Sequence, residues 1–384
     1  MLNVGIMSMH RILNYGSFLQ GYGLKQLIRS LEPSASINFL DYAPGKPLIE
    51  TSDYSPVGLR RMTSKIAEYS RVNARTIDKI RFFNHKRSYA KRYFPLLGLT
   101  PDPTYDRSVD LQIIGSDEVF NCVQANAHVG YSRDLFGHGS PAKRLISYAG
   151  SFGNTTIEKL RRYGLEAELS ADFARFADLS VRDENSRAII QELTGRDATV
   201  NVDPVLAYDF MQECSHVPKE RLLNKPYLIV YGYPGRINDA ESAEIRTYAR
   251  KNGLLVVCLG GIQSCCDVFI DCSPFEVLAL FRDASGVITD TFHGSIFSII
   301  NEQRFLTLIR RSHGDGYGNE EKLGYLLDSL GLRTQGTFDL TLSALEEGLS
   351  RRIDYNATRI ILDGARFMAR TYLERNLSAA RQHP

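Results

Sequence analysis

Residues 287–301 read VITDTFHGSIFSIIN, a pattern typical of a strand that passes through a tight loop into a helix. The apolar start gives way to small polar residues and a single histidine before an apolar helical pattern begins. His293 is therefore expected at the carboxyl end of a strand and beside a helix N-terminus. Ligands of open parallel sheets bind at that end, and helix N-termini favour anions. The segment predicts a site for an anionic ligand, although a buried strand and core helix with an ordinary loop histidine would have the same pattern.

The length and composition are those of a globular protein with about two domains. A chain of 384 residues is too long for one ordinary core, and 43% hydrophobic with 23% charged residues is an ordinary soluble composition. The formal net charge of +2 favours neither a nucleic-acid groove nor an acidic tail. The N-terminus lacks a signal-peptide pattern, and no run reaches the ~18 apolar residues that span a bilayer. These features predict a cytoplasmic protein that binds no nucleic acid.

The six cysteines are too few for a disulfide-built fold of this size, and none are spaced as C-x-x-C. Cys265 and Cys266 are adjacent, whereas zinc ligands are usually separated by two to four residues. We therefore predict free, mostly buried thiols and no metal site.

Two series of alternating strand and helix patterns lie on either side of a proline-containing break near residues 208–226. The first opens with strand, helix and strand patterns at 3–9, 17–31 and 36–42, which favours a parallel sheet. The sequence thus predicts an α/β fold of two Rossmann-like domains with a central cleft. The expected ranges are an N-terminal domain at 1–210, a C-terminal domain at 211–355 and a helix at 356–384 that packs back on the first domain.

Several predicted strands of the first series end in small, polar or charged residues. Residues 115–121 follow one such strand, residues 150–153 follow the next, and Arg182 stands at the end of a third. Because the carboxyl ends of parallel strands line one edge of a sheet, these loops should converge on a common crevice.

Six short blocks follow one another along the chain, and together they form a specific pattern. They are NYGSFLQ at 14–20, GSDEVFN at 115–121, SYAGSFG at 147–153, SVRDENS at 180–186, VDP at 202–204 and TDTFHG at 289–294. In content and order these blocks resemble the polysaccharide pyruvyl transferase family, over roughly residues 3–332. The resemblance implies two Rossmann-like domains similar to the GT-B glycosyltransferases. It also implies transfer of the pyruvyl group of phosphoenolpyruvate onto a sugar of a cell-surface polysaccharide, or of its lipid-linked precursor, as a ketal, without a cofactor or metal.

The residue types suit that chemistry. Phosphoenolpyruvate carries a phosphate and a carboxylate, which are bound by guanidinium groups, helix N-termini and backbone N–H groups. Arg182 is expected to bind the donor, and Arg310 and Arg311 are further candidates between which the sequence does not choose. The residues expected to contact substrates are Asn14, Gly16, Ser17, Gln20, Ser116, Asp117, Ser151, Arg182, Thr291, Gly294, Ser295, Arg310 and Arg311.

Ketal formation requires an acid to protonate the methylene carbon of the donor and a base to accept the proton of the sugar hydroxyl. His293, Asp290 and Glu118 are the expected catalytic residues, since imidazole and carboxyl groups can fill these roles. Structural roles remain alternatives, among them helix capping by Asp117 and a surface ion pair for Arg182.

One position departs from the family pattern. Thr291 stands where well-studied branches of the family tend to carry arginine, so donor binding by this loop is left open. A sugar-nucleotide-dependent glycosyltransferase and a non-catalytic partner in polysaccharide assembly remain alternative functions. The expected cytoplasmic location leaves open a peripheral association with the inner face of the membrane. The acceptor, its carrier and the oligomeric state are not determined by these residues.

Overall fold

The computed structural model describes residues 1–49, 69, 71–124, 126, 128–311 and 319–382. These residues divide into two compact units. The first unit contains residues 1–49, Phe94–Tyr208 and 363–382, and the second contains residue 69, residues 71–93, 209–311 and 319–362. Each unit is built on a parallel β-sheet with helices, so the predicted α/β fold of two Rossmann-like domains is confirmed.

The first unit contains a four-stranded parallel sheet in the order β2-β1-β3-β4 and a separate parallel pair, β5-β6. Its strands are β1 Asn3–Met7, β2 Ser36–Phe39, β3 Leu111–Ile114, β4 Arg144–Ser147, β5 Ser180–Val181 and β6 Thr199–Val200. Its helices are α1 Tyr15–Leu31, α3 Ile157–Arg162, α4 Glu166–Phe173, α5 Glu184–Thr194 and α6 Pro204–Ala207. The strand order reverses between β1 and β3, and ligands of such sheets bind at a reversal of this kind.

Aromatic side chains form the support beneath the polar loops of the first unit. Phe120 packs edge to face on Phe173 with ring centroids 5.1 Å apart and lies 5.5 Å from Phe152. All three rings are fully buried. Because Phe120 and Phe152 belong to the loops that follow β3 and β4, this packing holds those loops against the core.

The second unit contains a six-stranded parallel sheet in the order β12-β11-β10-β7-β8-β9. Its strands are β7 Tyr227–Tyr231, β8 Leu255–Leu259, β9 Val268–Phe269, β10 Gly286–Thr289, β11 Phe305–Leu308 and β12 Gly336–Thr337. Its helices are α7 Phe210–Glu213, α8 Asp239–Lys251, α9 Pro274–Asp283, α10 Phe292–Ile300, α11 Glu320–Ser329 and α12 Leu342–Ser350. Two further helices, α2 Thr76–Leu97 and α13 Tyr355–Gln382, each contain a boundary between the units.

The strand, loop and helix predicted at 287–301 are confirmed. Strand β10 lies between β7 and β11, with Ile288 opposite Val230 on one side and Leu306 on the other. Every residue of β10 is buried, which explains its uninterrupted apolar sequence. His293 lies in the first turn of α10.

The observed units differ from the expected domain ranges at residues 71–93, which the sequence assigns to the first domain. Phe82 of α2 is fully buried in the second unit, where its ring packs edge to face on Phe269 at 5.3 Å. The backbone N–H of Phe269 also donates to the buried carboxylate of Asp78. These contacts place the first part of α2 with the second unit.

The second difference concerns the C-terminal helix, of which residues 363–382 belong to the first unit and 355–362 to the second. The Tyr372 hydroxyl donates to the Ser147 carbonyl at 2.8 Å, and Asn376 Nδ2 donates to Asp178 Oδ2 at 2.8 Å. Residues 383 and 384 of the expected helix lie outside the described residues.

All six cysteines are buried free thiols, as the sequence predicts. Across the described ranges, no helix is both long and apolar enough to cross a membrane. Within the same ranges, no group of three or more His, Cys, Asp and Glu side chains is arranged to hold a metal ion.

Candidate functional site

The first unit gathers its candidate residues around the carboxylate of Asp203, which is fully buried. Gln20 Nε2 donates to Asp203 Oδ2 at 2.5 Å, Arg182 Nη1 donates to it at 3.2 Å, and Ser116 Oγ lies 3.5 Å away. The structure thus brings together three residues that the sequence predicts as substrate-binding. Asp203 itself was not among the predicted site residues, although the VDP block that contains it belongs to the family pattern.

Asp117 is held beside this group in an unusual backbone conformation. Its φ is 80°, a left-handed value that residues other than glycine seldom adopt and that tends to occur at functional sites. Ser17 Oγ donates to Asp117 Oδ2 at 3.1 Å, and Arg182 Nη1 lies 3.9 Å from Oδ1. The side chain keeps 19% of its surface exposed, so a ligand can reach its carboxylate.

The first-unit group has more negative than positive charge. Burial disfavours the charged form of Arg182, but the attraction of Asp203, Asp117, Asp183 and Glu118 outweighs it and raises the pKa of the guanidinium. Among the described residues, four carboxylates thus attract this one guanidinium group. Such a group repels an additional anion and is better suited to the hydroxyl groups of a neutral ligand.

The other predicted residues of the first unit support the loops. Asn14 Oδ1 accepts from the backbone N–H of Ser17 at 2.7 Å and caps α1, whose first turn contains the buried Gly16. Ser151 Oγ donates to an oxygen of Asp183 at 2.6 Å. The partly exposed Glu118 accepts from Asn121 Nδ2 at 2.9 Å.

Arg182→Ala is expected to lower the free energy of unfolding by about 3 kcal/mol, because it removes the buried guanidinium that forms an ion pair with Asp203. Arg182→Lys keeps the charge and should cost less. The measurement is urea unfolding, with Arg161→Ala as the matched control, since Arg161 forms exposed ion pairs with Glu166 and Glu192. An unchanged stability combined with weaker donor binding would instead make Arg182 a donor ligand.

In the second unit, threonine and serine hydroxyls fix the loop between β10 and α10. Thr291 Oγ1 accepts from the backbone N–H of Gly294 at 3.0 Å, so Thr291 caps α10. The backbone N–H of Thr291 donates to Thr289 Oγ1 at 3.1 Å, and Ser295 Oγ lies 2.9 Å from Thr307 Oγ1. The position at which the family tends to carry arginine is therefore occupied here by a helix cap.

Gly294→Ala is expected to destabilise the protein by about 1 to 3 kcal/mol, as overpacking typically does. A Cβ at this position would lie 2.1 Å from Thr289 Oγ1 and 2.8 Å from Thr291 Oγ1, so the cap would have to shift. Gly324→Ala is the control, because a Cβ there meets nothing within 4 Å, and alanine should stabilise α11 by roughly 0.5 to 1 kcal/mol. Equal thermal unfolding midpoints for the two variants would contradict this account of Gly294.

His293 occupies the first turn of α10 and is partly exposed. Its ring lies 5.6 Å from that of Phe292 and 6.0 Å from that of Phe297. The structure therefore places the imidazole where the sequence predicts it, at the carboxyl edge of the sheet and at a helix N-terminus, where an anion is favoured.

A pocket of about 540 Å³ opens at the same edge of the sheet, and we call it the arginine pocket. It is lined by Arg236, Asp290, Ile309, Arg310, Arg311, Phe338 and Asp339. These residues follow the carboxyl ends of β7, β10, β11 and β12. The strand order reverses between β7 and β10, so the pocket lies where parallel α/β sheets bind their ligands.

The three guanidinium groups of the pocket are held in different ways. Arg236 Nη1 lies 3.4 Å from Asp290 Oδ2, and its guanidinium stacks over the Tyr233 ring at 4.6 Å. Arg310 pairs with Glu241, whereas Arg311 stacks over the Phe338 ring at 4.7 Å. Within the described residues, no carboxylate forms an ion pair with Arg311. Both arginines that the sequence could not separate thus line the pocket.

Arg236 was missed by the sequence analysis. Arg236 lies in the loop after β7, five residues beyond the end of the strand. The other candidates were chosen because they follow predicted strands, and the same signal would have found Arg236 if this loop had been considered. Its guanidinium contacts Asp290, which lies 54 residues further along the chain.

Asp290 has a buried carboxyl group that lies beside Arg236. The residue is 1% exposed, and burial raises the pKa of its carboxyl group despite the attraction of Arg236. Among the described residues, its Oδ1 atom has no hydrogen-bond partner. A Cβ at Gly232 would lie 2.9 Å from that oxygen, so glycine at 232 leaves room beside it. A carboxyl group of this kind holds its proton to a higher pH than an exposed aspartate does.

Comparison with known proteins identifies a family and a set of distant structural neighbours. The family model for polysaccharide pyruvyl transferase matches residues 14–312. No curated protein shows significant similarity to the chain. Among solved structures, a putative UDP-N-acetylglucosamine 2-epimerase from Listeria monocytogenes shares 12% identity with a TM-score of 0.48, covering 95% of this chain and 90% of that one.

Two other solved structures show a similar degree of likeness. The glycotransferase of kitacinnamycin shares 11% identity with a TM-score of 0.47, covering 100% of this chain and 99% of that one. The UDP-GlcNAc 2-epimerase from Methanocaldococcus jannaschii shares 11% identity with a TM-score of 0.47, covering 94% and 98%.

Proposed function

The chain belongs to the polysaccharide pyruvyl transferase family, and from this premise we propose that it transfers the pyruvyl group of phosphoenolpyruvate onto a sugar as a ketal. The observation that carries the proposal is the arginine pocket, which combines three guanidinium groups with a buried carboxyl group whose pKa is raised. The first property suits an anionic donor, and the second suits proton transfer to it.

Binding of the donor follows from the charges that line the pocket. Phosphoenolpyruvate offers a phosphate and a carboxylate, and guanidinium groups pair with both through parallel hydrogen bonds. Arg311 contributes a charge without a carboxylate partner among the described residues, and Arg236 lies 3.4 Å from Asp290, a carboxyl group whose pKa is raised by burial. We therefore assign Arg311 and Arg236 to the two negatively charged groups of the donor, with Asp339 also in the lining of the pocket.

In the proposed reaction, the Asp290 carboxyl group gives its proton to the methylene carbon of the donor. The adjacent carbon becomes electrophilic, and the oxygen of a sugar hydroxyl bonds to it. The bond from that carbon to the phosphate oxygen then breaks, and the phosphate leaves with the electron pair. A second hydroxyl of the same sugar closes the ketal. Of the two hydroxyl protons, one returns to Asp290 and the other leaves on the phosphate. The Asp290 carboxyl group is then protonated again for the next cycle.

We assign His293 to the departing phosphate or to the proton transfers, since an imidazole at a helix N-terminus can do either. In the first-unit group, taken by itself, Ser17, Asp117 and Glu118 offer a hydroxyl and carboxylates that suit the hydroxyl groups of a neutral ligand.

Thermal unfolding in the presence of candidate donors tests the proposal. Phosphoenolpyruvate at 100 times its dissociation constant should stabilise the protein by about 2.7 kcal/mol, whereas a nucleotide sugar should give no shift. Stabilisation by the nucleotide sugar alone would favour a glycosyltransferase instead. Stabilisation by neither would favour a non-catalytic partner in polysaccharide assembly.

Arg311→Ala should raise the dissociation constant of phosphoenolpyruvate about tenfold, equivalent to ~1.4 kcal/mol, because the variant removes the pocket cation that lacks a described carboxylate partner. Calorimetric titration measures the constant. Arg333→Ala is the control, since this arginine of the second unit is 85% exposed on its side chain and pairs only at the surface with Asp328. Equal affinities for the two variants would remove Arg311 from the donor site.

A further inference from the structure

Glu241 lies outside the lining of the arginine pocket and forms two hydrogen bonds with the guanidinium of Arg310. Its two carboxylate oxygens accept from Arg310 Nη1 at 2.6 Å and from Arg310 Nη2 at 2.8 Å. This paired arrangement fixes the plane of the guanidinium as well as its position. Glu241 is 8% exposed and is not one of the residues that line the pocket.

The carboxylate of Glu241 is in turn fixed by the first turn of α8. Its Oε2 atom accepts from the backbone N–H of Asn238 at 2.9 Å, while Asn238 Oδ1 accepts from the backbone N–H of Glu241 at 2.9 Å. This reciprocal capping box leaves the side chain little freedom to follow a moving partner. The helix end therefore determines where the guanidinium of Arg310 lies.

Arg310 is in turn hydrogen-bonded to the backbone around the pocket. Its Nη2 atom donates to the backbone carbonyl of Arg236 at 3.0 Å. Its backbone N–H donates to Asn319 Oδ1 at 2.7 Å, and Asn319 Nδ2 donates to the backbone carbonyl of Asp290 at 2.8 Å. The position of Arg310 is thus linked to the backbones of Arg236 and Asp290, two of the other charged residues that line the pocket.

We propose that Glu241 is a positioning residue for the anion in the arginine pocket, acting through Arg310 without touching the ligand. The inference rests on the proposed function only for the identity of that anion. A residue that merely caps α8 would affect the stability of the helix and leave anion affinity unchanged.

The sign of the effect distinguishes positioning from simple electrostatics. Glu241→Gln removes a negative charge near the pocket, which by Coulomb attraction alone should strengthen the binding of an anion. The amide, however, offers one acceptor oxygen in place of two and turns its NH2 group toward another donor. If Glu241 holds Arg310 in place, the variant should bind the anion more weakly even though the pocket has become more positive.

The experiment compares Glu241→Gln with Glu276→Gln. Glu276 forms the same capping box at the start of α9 with Ser273, and within the described residues it pairs with no arginine. Dissociation constants for phosphoenolpyruvate and for inorganic phosphate are measured by calorimetry, with thermal unfolding alongside. We expect Glu241→Gln to raise the dissociation constants five- to tenfold and Glu276→Gln to change them less than twofold, while both lower the unfolding midpoint to a similar extent. Unchanged or tighter binding in Glu241→Gln overturns the inference.

A double-mutant cycle with Arg310→Ala tests whether the effect passes through Arg310. The variant that combines both substitutions should bind no more weakly than Arg310→Ala alone, because nothing remains for Glu241 to hold. Fully additive losses would overturn the inference. A wild-type protein that binds phosphate but not phosphoenolpyruvate would contradict the proposed function, and the same cycle measured with phosphate would still decide the role of Glu241. A wild-type protein that binds neither ligand would overturn both proposals.

Discussion

His293→Ala should reduce turnover by about 10² to 10⁴ while leaving donor affinity within a few-fold, as expected for a group that acts mainly in the transition state. The imidazole lies in the first turn of α10, at the carboxyl edge of the second-unit sheet, where a departing phosphate would be favoured. The measurement is pyruvate incorporated from phosphoenolpyruvate into a sugar acceptor, together with the dissociation constant of the donor. His216→Ala is the control, because this exposed histidine of the second unit also packs on an aromatic ring, Phe275 at 5.0 Å.

His293→Gln separates the two roles that an imidazole can have here. An amide can still donate a hydrogen bond to phosphate but cannot act as a general acid. Substantial activity in the glutamine variant with little in the alanine variant would indicate that His293 stabilises the phosphate. Comparable losses in both variants would indicate proton transfer. Near-normal turnover in His293→Ala would remove it from the catalytic residues and leave Asp290 and Glu118 as the candidates.

Asp290→Asn should reduce turnover by about 10² to 10³, the range for loss of a general acid, with donor affinity little changed. The amide is nearly the same size and can remain beside Gly232 and Arg236, but it has no proton to give. Loss of activity through misfolding would lower the unfolding midpoint, so turnover and thermal stability are measured on the same samples. An active, stably folded Asp290→Asn protein would indicate that His293, and not Asp290, is the general acid.

The pH dependence provides a second test of Asp290. Since burial raises the pKa of its carboxyl group, the folded state holds this proton more tightly than the unfolded state. The stability contributed by neutral Asp290 is therefore fully present below the unfolded pKa of about 3.9 and is lost as the pH rises through the raised folded pKa. Turnover that depends on the proton of Asp290 should fall as the pH rises through the raised pKa of the folded protein. In Asp290→Asn this loss of stability should be absent, so its unfolding midpoint should rise relative to wild type as the pH increases.

The amino-acid sequence by itself determined the α/β class, the order of strands and helices around residues 287–301, and the position of His293 at the start of a helix. These properties depend on local signals. Apolar runs, helical spacing and a threonine cap lie within a few residues of one another in the sequence. Parallel strands necessarily place their carboxyl ends at one edge of a sheet. For the same reason, most of the predicted polar residues were found at that edge within each unit.

Only the tertiary structure decided which charges in those loops are already neutralised. Arg182 and Arg311 both look like donor ligands in the sequence, yet the first is buried against Asp203 and the second stacks on Phe338 without a described carboxylate partner. Residues 71–93 likewise belong to the second unit because Phe82 packs on Phe269, far away in the sequence. Glu241 reaches Arg310 across 69 positions of the chain. Pairing at such separations depends on how the sheets bring loops together, whereas residue types and spacing record only which groups carry charge.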